Sequence, residues 1–304
     1  MNKLCGVIVI GLFSVLYLLF GYFPSKAGDD GTVGIDECTS RTMSLVPEEA
    51  WGAMFFKLVI PLGCSPESRN AILSNLDQRA TEGDPSALYL LSNISIQGYQ
   101  RDQDVLSGRI LLEESAKGGY LPAQLAMAAM FKNAGDLEPY AFWSLRAAES
   151  GDRYSQFITG INLKNGFGVS KNLQMAVHWI RLSAEEGYPN AQTMLGTLYF
   201  DGDGVPQDFR TAAEWLLRAA NQGEPHAQTM FASMYMDGIG VPQDYVQAHM
   251  WANLAAAQGD NTVARSMRDS LAQRMTSGQV AEAQKRAASW EREREDHWIV
   301  IDSE

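Results

Sequence analysis

Positive charge is scarce in this 304-residue sequence: 24 lysine and arginine residues stand against 36 aspartate and glutamate residues, for a formal net charge of −12. A surface of that sign repels phosphate backbones and has few cations to displace their counterions. We therefore expect no nucleic-acid partner. Hydrophobic residues make up 46% of the chain, which is enough for a sizeable core, so we expect an ordered protein.

Familiar catalytic motifs are also missing. The sequence has no GxSxG, HExxH or P-loop pattern, and its GxG pairs follow predicted helices instead of strands. None of the four histidines lies beside a Cys, Asp or Glu at a helical ligand spacing that recurs. These histidines are His178, His226, His249 and His297. We expect no catalytic residues, no cofactor and no enzyme activity.

Cysteine occurs only three times. Cys5 lies in an apolar run at the amino terminus, which leaves Cys38 and Cys64 as the pair in the rest of the chain. In an exported protein this pair predicts one disulfide, and the alternative is two unpaired buried thiols. No CxxC motif or Cys/His ligand spacing is present, so no metal site is predicted.

The amino-terminal apolar run extends from Leu4 to Phe23 and is long enough to cross a bilayer as a helix. Ser25 and Ala27 then supply the small-x-small pattern of a signal-peptidase site. Residues 1–27 are predicted to be either a cleaved signal peptide or an uncleaved membrane anchor. The charges around the run favour export, so we expect the remainder to be periplasmic, or anchored and facing the periplasm or exterior. Membrane contact is expected only through this segment.

The sequence contains a repeat with a period of 36 residues, which three segments show without gaps. These are SQFITGINLKNGFGVSKNLQMAVHWIRLSAEEG (155–187), AQTMLGTLYFDGDGVPQDFRTAAEWLLRAANQG (191–223) and AQTMFASMYMDGIGVPQDYVQAHMWANLAAAQG (227–259). Apolar residues recur at i, i+3, i+4 and i+7 in both halves of each segment, which predicts two amphipathic helices per repeat. Such a helical hairpin cannot bury its apolar faces alone and must stack on its neighbours.

Certain columns of the repeat keep one residue type, and we interpret them as the structural core. Small residues there would let helices approach closely, and aromatic residues would fill the adjacent volume. The columns contain Gly160 and Gly196; Tyr199 and Tyr235; Ala176, Ala212 and Ala248; and Trp143, Trp179, Trp215 and Trp251. An aromatic ligand cage is the alternative for the tryptophans, but their fixed helical spacing favours packing.

The period continues towards the amino terminus with weaker matches at 86–119 and, after a four-residue deletion, at 123–151. The sequence thus predicts an all-α solenoid of about five stacked helical hairpins with terminal capping helices. Thr276 and Gln279 form a possible capping box that opens a helix through about Glu293, and the tail after it is predicted to be frayed or a docking strand. The predicted parts are residues 28–84 (linker and a capping hairpin at 47–60 and 66–82), 85–260 (repeat array) and 261–304 (carboxy-terminal capping helices and tail).

The turn DGDGVPQD at 201–208 has two interpretations, a calcium loop or a connection between helices. Its counterparts NGFGVSKN and DGIGVPQD replace Asp203 by Phe and Ile but keep both glycines and the valine. A calcium loop would need Asp203, so we favour the turn. In the turn, Asn172, Asp208 and Asp244 are expected to cap the second helices. We expect Asp203→Ala to change stability by no more than about 0.5 kcal/mol.

The pattern AxxxLGxxYxxGxGVxxDxxxAxxWxxxAAxxG, clearest at 191–223, resembles the Sel1-like repeat, a relative of the tetratricopeptide repeat. The resemblance covers about residues 85–260. It implies a right-handed superhelical α-solenoid and, as for most such proteins, an adaptor that holds other proteins. Many exported bacterial members serve envelope assembly or signalling.

In tetratricopeptide-like stacks the first helix of each hairpin lines the concave groove, so its residues outside the core are candidates for partner contact. Their mixture of aromatic, aliphatic and small polar side chains suits an extended peptide or a partner helix. These residues are Tyr89, Ile96, Phe157, Lys164, Thr193, Phe200, Thr229 and Met236.

Three functions compete at this stage. The first is a non-enzymatic scaffold that binds a protein partner along the groove outside the cytoplasm. The second is an envelope assembly component for polysaccharide export or for a flagellar or secretion machine. The third is an enzyme acting on cell-wall or β-lactam substrates, because some cysteine-rich relatives are linked to such compounds; this chain lacks their cysteine pair in each repeat.

Overall fold

The computed structural model describes residues 66–98 and 102–301. The predicted leader at 1–27, Cys38, Cys64 and the predicted helix at 47–60 lie outside this range. Within it, every regular element is an α-helix, which confirms the all-α prediction. None of the helices described is long and apolar enough to span a bilayer.

The chain divides into two compact units, residues 1–112 and 113–304. The first unit contains α1 (Pro66–Thr81), α2 (Pro85–Gln97) and the beginning of α3 (Val105–Lys117), which continues into the second unit. The helices that follow in the second unit are α4 (Leu121–Ala134), α5 (Leu137–Glu149), α6 (Arg153–Asn165), α7 (Leu173–Glu185), α8 (Pro189–Asp201), α9 (Phe209–Asn221), α10 (Pro225–Asp237), α11 (Tyr245–Ala257), α12 (Thr262–Ala272) and α13 (Ser277–Ile301).

In the first unit, α2 begins at a well-formed cap. The Asp84 carboxylate accepts a hydrogen bond from the Ser86 backbone N–H at 2.9 Å, and Arg79 Nε donates to its other oxygen at 2.8 Å. Burial by itself would raise the pKa of Asp84, but the bonds from Ser86 and Arg79 outweigh burial and lower that pKa to about 2. The charged carboxylate therefore fixes the start of α2 and ties it to α1.

The hairpin α8–α9 shows how the helices of the second unit begin and end. In the hairpin α8–α9, Pro189 occupies the first turn, where its missing N–H costs nothing, and Gly202 closes α8 in the left-handed region at φ 74°. Asp208 then caps α9 by accepting hydrogen bonds from the Arg210 and Thr211 N–H groups at 3.0 and 3.1 Å. Asn172 and Asp244 cap α7 and α11 in the same way.

Small residues let the two helices of one hairpin touch. A Cβ added at Gly196 of α8 would lie 2.7 Å from Leu216 Cγ of α9, and one at Gly160 of α6 would lie 2.5 Å from Ile180 Cγ1 of α7. The next hairpin has Ala232 in this column, and the residue at the register of Ile180 and Leu216 is Ala252. A larger residue on one helix is therefore matched by a smaller one on the other.

The remaining core columns are buried to different depths. The alanines at 176, 212 and 248 are completely buried. Trp143 and Trp251 are 6% and 4% exposed, whereas Trp179 and Trp215 are half-buried, and the Arg218 guanidinium lies 4.5 Å from the Trp215 ring centroid. Tyr199 and Tyr235 are also half-buried. The tryptophan column thus lies at the edge of the core, deepest at its two ends.

The second glycine of each GxGV turn makes contact with the preceding hairpin. A Cβ on Gly240, whose φ is 71°, would lie 2.2 Å from the Phe209 carbonyl oxygen at the start of α9. The same position, Gly168, abuts the Leu137 carbonyl oxygen at the start of α5. In DGDGVPQD itself, Gly204 has φ 77° and a Cβ there would lie 2.7 Å from Leu173 Cγ at the start of α7. Glycine recurs at this position because the backbone is left-handed and approaches the preceding hairpin closely, which supports the turn interpretation.

The carboxy-terminal helices complete the second unit. Thr276 and Gln279 form the predicted capping box: the Thr276 N–H donates to Gln279 Oε1 at 2.9 Å, and the Gln279 N–H donates to Thr276 Oγ1 at 3.3 Å. Trp290 of α13 packs edge-on to Trp251, with ring centroids 6.0 Å apart. The predicted end near Glu293 is wrong, since α13 continues to Ile301, and this helical backbone also excludes the docking strand over those residues.

Candidate functional site

The structure places the predicted partner-contact residues in different surroundings. Tyr89 is 9% exposed and lies in the core, where burial raises the pKa of its hydroxyl. Ile96 packs on α3, because a Cβ at Gly108 would lie 2.6 Å from its Cγ1. The other predicted contact residues are half-buried on first helices of the second unit. They are Phe157, Lys164, Thr193, Phe200, Thr229 and Met236.

One column of these residues joins each hairpin to the next. The Phe157 ring lies 5.4 Å from the Tyr188 ring, which stands just before α8. Thr193 Oγ1 donates to Glu224 Oε2 at 3.0 Å, just before α10. These contacts join equivalent positions of successive hairpins, in one case through two aromatic rings and in the other through a hydrogen bond.

The third member of that column follows the same rule: Thr229 Oγ1 accepts a hydrogen bond from Asn261 Nδ2 at 3.0 Å, just before α12. The Thr229 hydroxyl also donates to the Pro225 carbonyl at 2.8 Å, so both its donor and its acceptor are used. This column therefore links successive hairpins, and its side chains are already in contact within the protein.

In the second predicted column, which contains Lys164, Phe200 and Met236, two of the three side chains also make contacts within the protein. Lys164 Nζ and Asp203 Oδ2 form an ion pair at 2.8 Å, which connects α6 to the turn of the next hairpin. Phe200 packs on Phe209 with ring centroids 5.2 Å apart. Asp203, the residue that raised the question of calcium, is thus a counter-ion for Lys164. Among the described residues, no group of His, Cys, Asp or Glu side chains could hold a metal ion.

The first helices α6, α8 and α10 also carry half-buried residues that were not among the predicted contact residues. Thr197 Oγ1 lies 3.4 Å from Met230 Sδ, so neighbouring hairpins touch across this surface. We define the first-helix face as the four columns of half-buried residues on these helices. They are Phe157, Thr193 and Thr229; Ile158, Met194 and Met230; Ile161, Thr197 and Ser233; and Lys164, Phe200 and Met236.

Electrostatically, this face is close to neutral on an acidic molecule. Its one charged side chain is Lys164, which Asp203 neutralises. Three methionines contribute flexible, polarizable side chains that adapt to differently shaped partners. The face can therefore hold an apolar or amphipathic protein segment more readily than a charged polymer.

A buried glutamine at the start of each first helix of the second unit was not predicted from the sequence. Gln192 is 5% exposed; its Nε2 donates to the Ala184 carbonyl of α7 at 3.1 Å, and its Oε1 accepts from Gln222 Nε2 at 2.8 Å. Gln228 repeats this arrangement with Ala220 and Gln258. Each glutamine satisfies the end of the preceding second helix and so links three helices. The sequence pattern that could have revealed these glutamines is their recurrence in one column of an otherwise apolar helix face.

Gln156 departs from this arrangement. Its Nε2 donates to Glu186 Oε1 at 3.1 Å, and its Oε1 is buried without a hydrogen-bond partner among the described residues. The cause is Glu186, which stands where the next two hairpins have Gln222 and Gln258. A carboxylate can only accept, so Gln156 must turn its amide group towards it.

His249 is the most buried histidine of the described chain, at 2% exposed. Its Nδ1 has no hydrogen-bond partner among the described residues. Burial lowers the pKa of His249, the nearby Arg268 lowers it further, and Asp269 partly opposes this. The imidazole is thus held neutral in the joint between α11 and α12 instead of facing the surface.

The comparison with protein families agrees with this geometry. The model described as "Sel1 repeat" matches residues 85–120, 153–188, 189–224 and 225–260. The chain contains four Sel1 repeats. A comparison with curated protein sequences gave no significant match.

Solved structures with the same fold include other Sel1 repeat proteins. A protective antigen of uropathogenic Escherichia coli strains that displays an SLR fold is 27% identical, with a TM-score of 0.59, and the match covers 75% of this chain and 50% of the other. This chain thus spans about half the length of that relative. A Sel1 repeat protein from Oxalobacter formigenes is 23% identical, with a TM-score of 0.53, covering 65% and 80% of the two chains.

The Sel1 repeat model passes over residues 121–152, yet the structure forms the hairpin α4–α5 there. The connection between these two helices is only Gly135 and Asp136, so the GxGV turn is missing. Gly135 still closes α4 with φ 80°. The hairpin α4–α5 is therefore present in the second unit, as the sequence predicts.

Proposed function

We propose that this Sel1 repeat protein is a non-enzymatic scaffold that binds an amphipathic segment of a protein partner on its first-helix face. Sel1 repeat proteins generally act as protein-interaction scaffolds. The observation that carries the proposal is the near-neutral, methionine-containing face on a chain with a formal net charge of −12. Tyr89 and Ile96 are left out of the proposed contact surface because they pack on their own unit.

The binding test changes two methionines of this face, Met194 and Met230, whose side chains also pack on the edge of the core. Met194→Glu and Met230→Glu place charges on half-buried positions of α8 and α10. The matched control is Leu217→Glu on α9, a leucine that is already 37% exposed. We expect the methionine variants to lose the partner and the leucine variant to keep it, while the far-UV circular dichroism of all three stays helical.

The partner is first identified by a photo-crosslinking amino acid placed at Thr197 of the face or at Leu217 of α9, followed by mass spectrometry. The purified partner is then titrated calorimetrically against wild type and the three variants. Equal crosslinking at both positions, or unchanged affinity in the methionine variants, would refute the first-helix face as the binding surface.

We also propose that the protein works outside the cytoplasm. The support is the apolar run from Leu4 to Phe23 with the following small-x-small pattern. The description of the Escherichia coli relative as a protective antigen is consistent with such a location. A carboxy-terminal alkaline phosphatase fusion should be active in cells. An inactive fusion that is nevertheless stable would contradict export.

A role in envelope assembly is the narrower form of this proposal. It would make the scaffold part of a polysaccharide export, flagellar or secretion apparatus, and residues 1–27 would matter if they stay attached as an anchor. Membrane fractionation with and without carbonate washing separates an anchored from a released chain. Release into the soluble periplasmic fraction would count against an anchored component.

A further inference from the structure

The hairpin α6–α7 buries polar atoms that find no partner among the described residues. Thr159 and Asn162 are each 4% exposed, yet Thr159 Oγ1 and Asn162 Nδ2 make no hydrogen bond there. Trp179 Nε1 and Gln156 Oε1 are buried in the same state. Four such atoms in one hairpin contrast with a single one, on His249, in the rest of the described chain.

The following hairpins show what these positions normally hold. Leu195 and Leu198 of α8 occupy the register of Thr159 and Asn162, and they pack against Val177, Ile180 and Ala184 of the preceding second helix. In α10 the same register holds Phe231 and Met234, which pack with the buried face of α9. Thr159 and Asn162 therefore lie at the register that packs on α5.

The helix on the other side of this joint is also more polar. Ser144 of α5, which is 2% exposed, occupies the register of Ile180 and Leu216. Its hydroxyl donates to the Tyr140 carbonyl of its own helix at 2.8 Å, and no hydrogen bond joins it to α6 among the described residues. The α5/α6 joint thus has neither the apolar burial of the α7/α8 joint nor polar bonds in its place.

We propose that the α5/α6 joint is the weakest of the three joints α5/α6, α7/α8 and α9/α10, and that it opens before the other two. In repeat proteins stability is approximately a sum of repeat and nearest-neighbour terms, so a weak joint localises opening. Each unsatisfied buried polar group weakens its joint by about one power of ten or more in the opening equilibrium. Opening would free the hairpin α4–α5 to reorient, while the first-helix face on α6, α8 and α10 stays whole.

The test is hydrogen–deuterium exchange with mass spectrometry on wild type and isosteric variants. Thr159→Val replaces the unpartnered hydroxyl by a methyl group of the same size, and Asn162→Leu introduces the residue that α8 has at this register. Either variant should slow exchange in peptides of α5 and α6 about tenfold relative to peptides of α8 and α9. The second variant covers the case in which the first fails to fold.

The matched control is Thr229→Val in α10, because that hydroxyl is fully bonded to Pro225 and Asn261. Hydrogen–deuterium exchange in the α10 peptides of this variant should become faster or stay the same. Leu198→Asn should create a second weak joint and speed exchange in α7 and α8. The proposal is overturned if wild-type α5 and α6 exchange as slowly as α8, or if Thr159→Val leaves their exchange unchanged or accelerates it.

Discussion

Gly196 provides the sharpest test of how the hairpins pack. Two effects oppose each other when Gly196 becomes alanine. Alanine is the better helix former by about 1 kcal/mol in a helix interior. Against this, the new Cβ would lie 2.7 Å from Leu216 Cγ and 3.2 Å from the Ala212 carbonyl oxygen.

Leu216 cannot move aside easily because it is completely buried. Overpacking of this kind costs about 1–3 kcal/mol, so the clash outweighs the helix propensity. We expect Gly196→Ala to lower the free energy of unfolding by about 1 kcal/mol in the wild-type background, the middle of the range of about 0–2 kcal/mol that remains once the gain in helix propensity is subtracted.

The sign should reverse when Leu216 is shortened. Leu216→Ala alone removes buried methyl groups and should cost about 2–5 kcal/mol. In that background the new Cβ has room, so Gly196→Ala should raise the free energy of unfolding by about 1 kcal/mol. The natural precedent is the next hairpin, where Ala232 and Ala252 are both completely buried.

The measurement is a double-mutant cycle from urea unfolding followed by far-UV circular dichroism. A coupling of about 2 kcal/mol, within a range of about 1–3 kcal/mol, is expected between positions 196 and 216. If Gly196→Ala has the same effect in both backgrounds, the residues do not limit one another and the size-matching argument is wrong.

Two further changes test single polar groups. Glu186→Gln should raise the melting temperature, because an amide can donate to the unpartnered Gln156 Oε1 and thus save about 1 kcal/mol; Glu185→Gln controls for loss of charge at the helix end, and an equal gain there would contradict the explanation. His249 should make stability fall as the pH is lowered: its folded pKa is below the ordinary value, so the unfolded state binds more protons, and the stability present above about pH 6.5 is lost as pH falls. His249→Val should flatten the melting temperature between pH 5 and 7.5 relative to wild type, whereas His226→Gln at the surface should not.

Much of the fold follows from local signals in the sequence. The period of 36 residues, the caps at Asn172 and Asp208 and the closing glycine Gly202 depend on backbone conformation within a few residues, so the sequence displays them directly. The hairpin α4–α5 was also predictable, because α5 keeps Trp143 in register although its turn is short.

The contacts between hairpins were less predictable. Lys164 and Asp203 are 39 residues apart, and Asp203 is replaced in both aligned turns, so no pattern links the pair. We expected Asp203 to matter little, and an ion pair that is about one third exposed is worth about 0–1 kcal/mol, which leaves that prediction open to measurement. For Trp215, periodicity indicates the face of the helix but not the depth of burial, and the structure leaves this ring half-buried under Arg218.

These connecting contacts also limit what a partner can use. In the column of Phe157, Thr193 and Thr229 each side chain is engaged with the next hairpin, through an aromatic contact and two hydrogen bonds. A partner that bound these groups would have to break a contact between hairpins. The free energy lost there is comparable to the free energy gained from one new contact. In the columns that begin with Ile158 and Ile161, the polar contact between hairpins is the one that joins Thr197 to Met230. Binding without loss of the array therefore has to rest on the aliphatic and methionine side chains, and its affinity should depend little on salt.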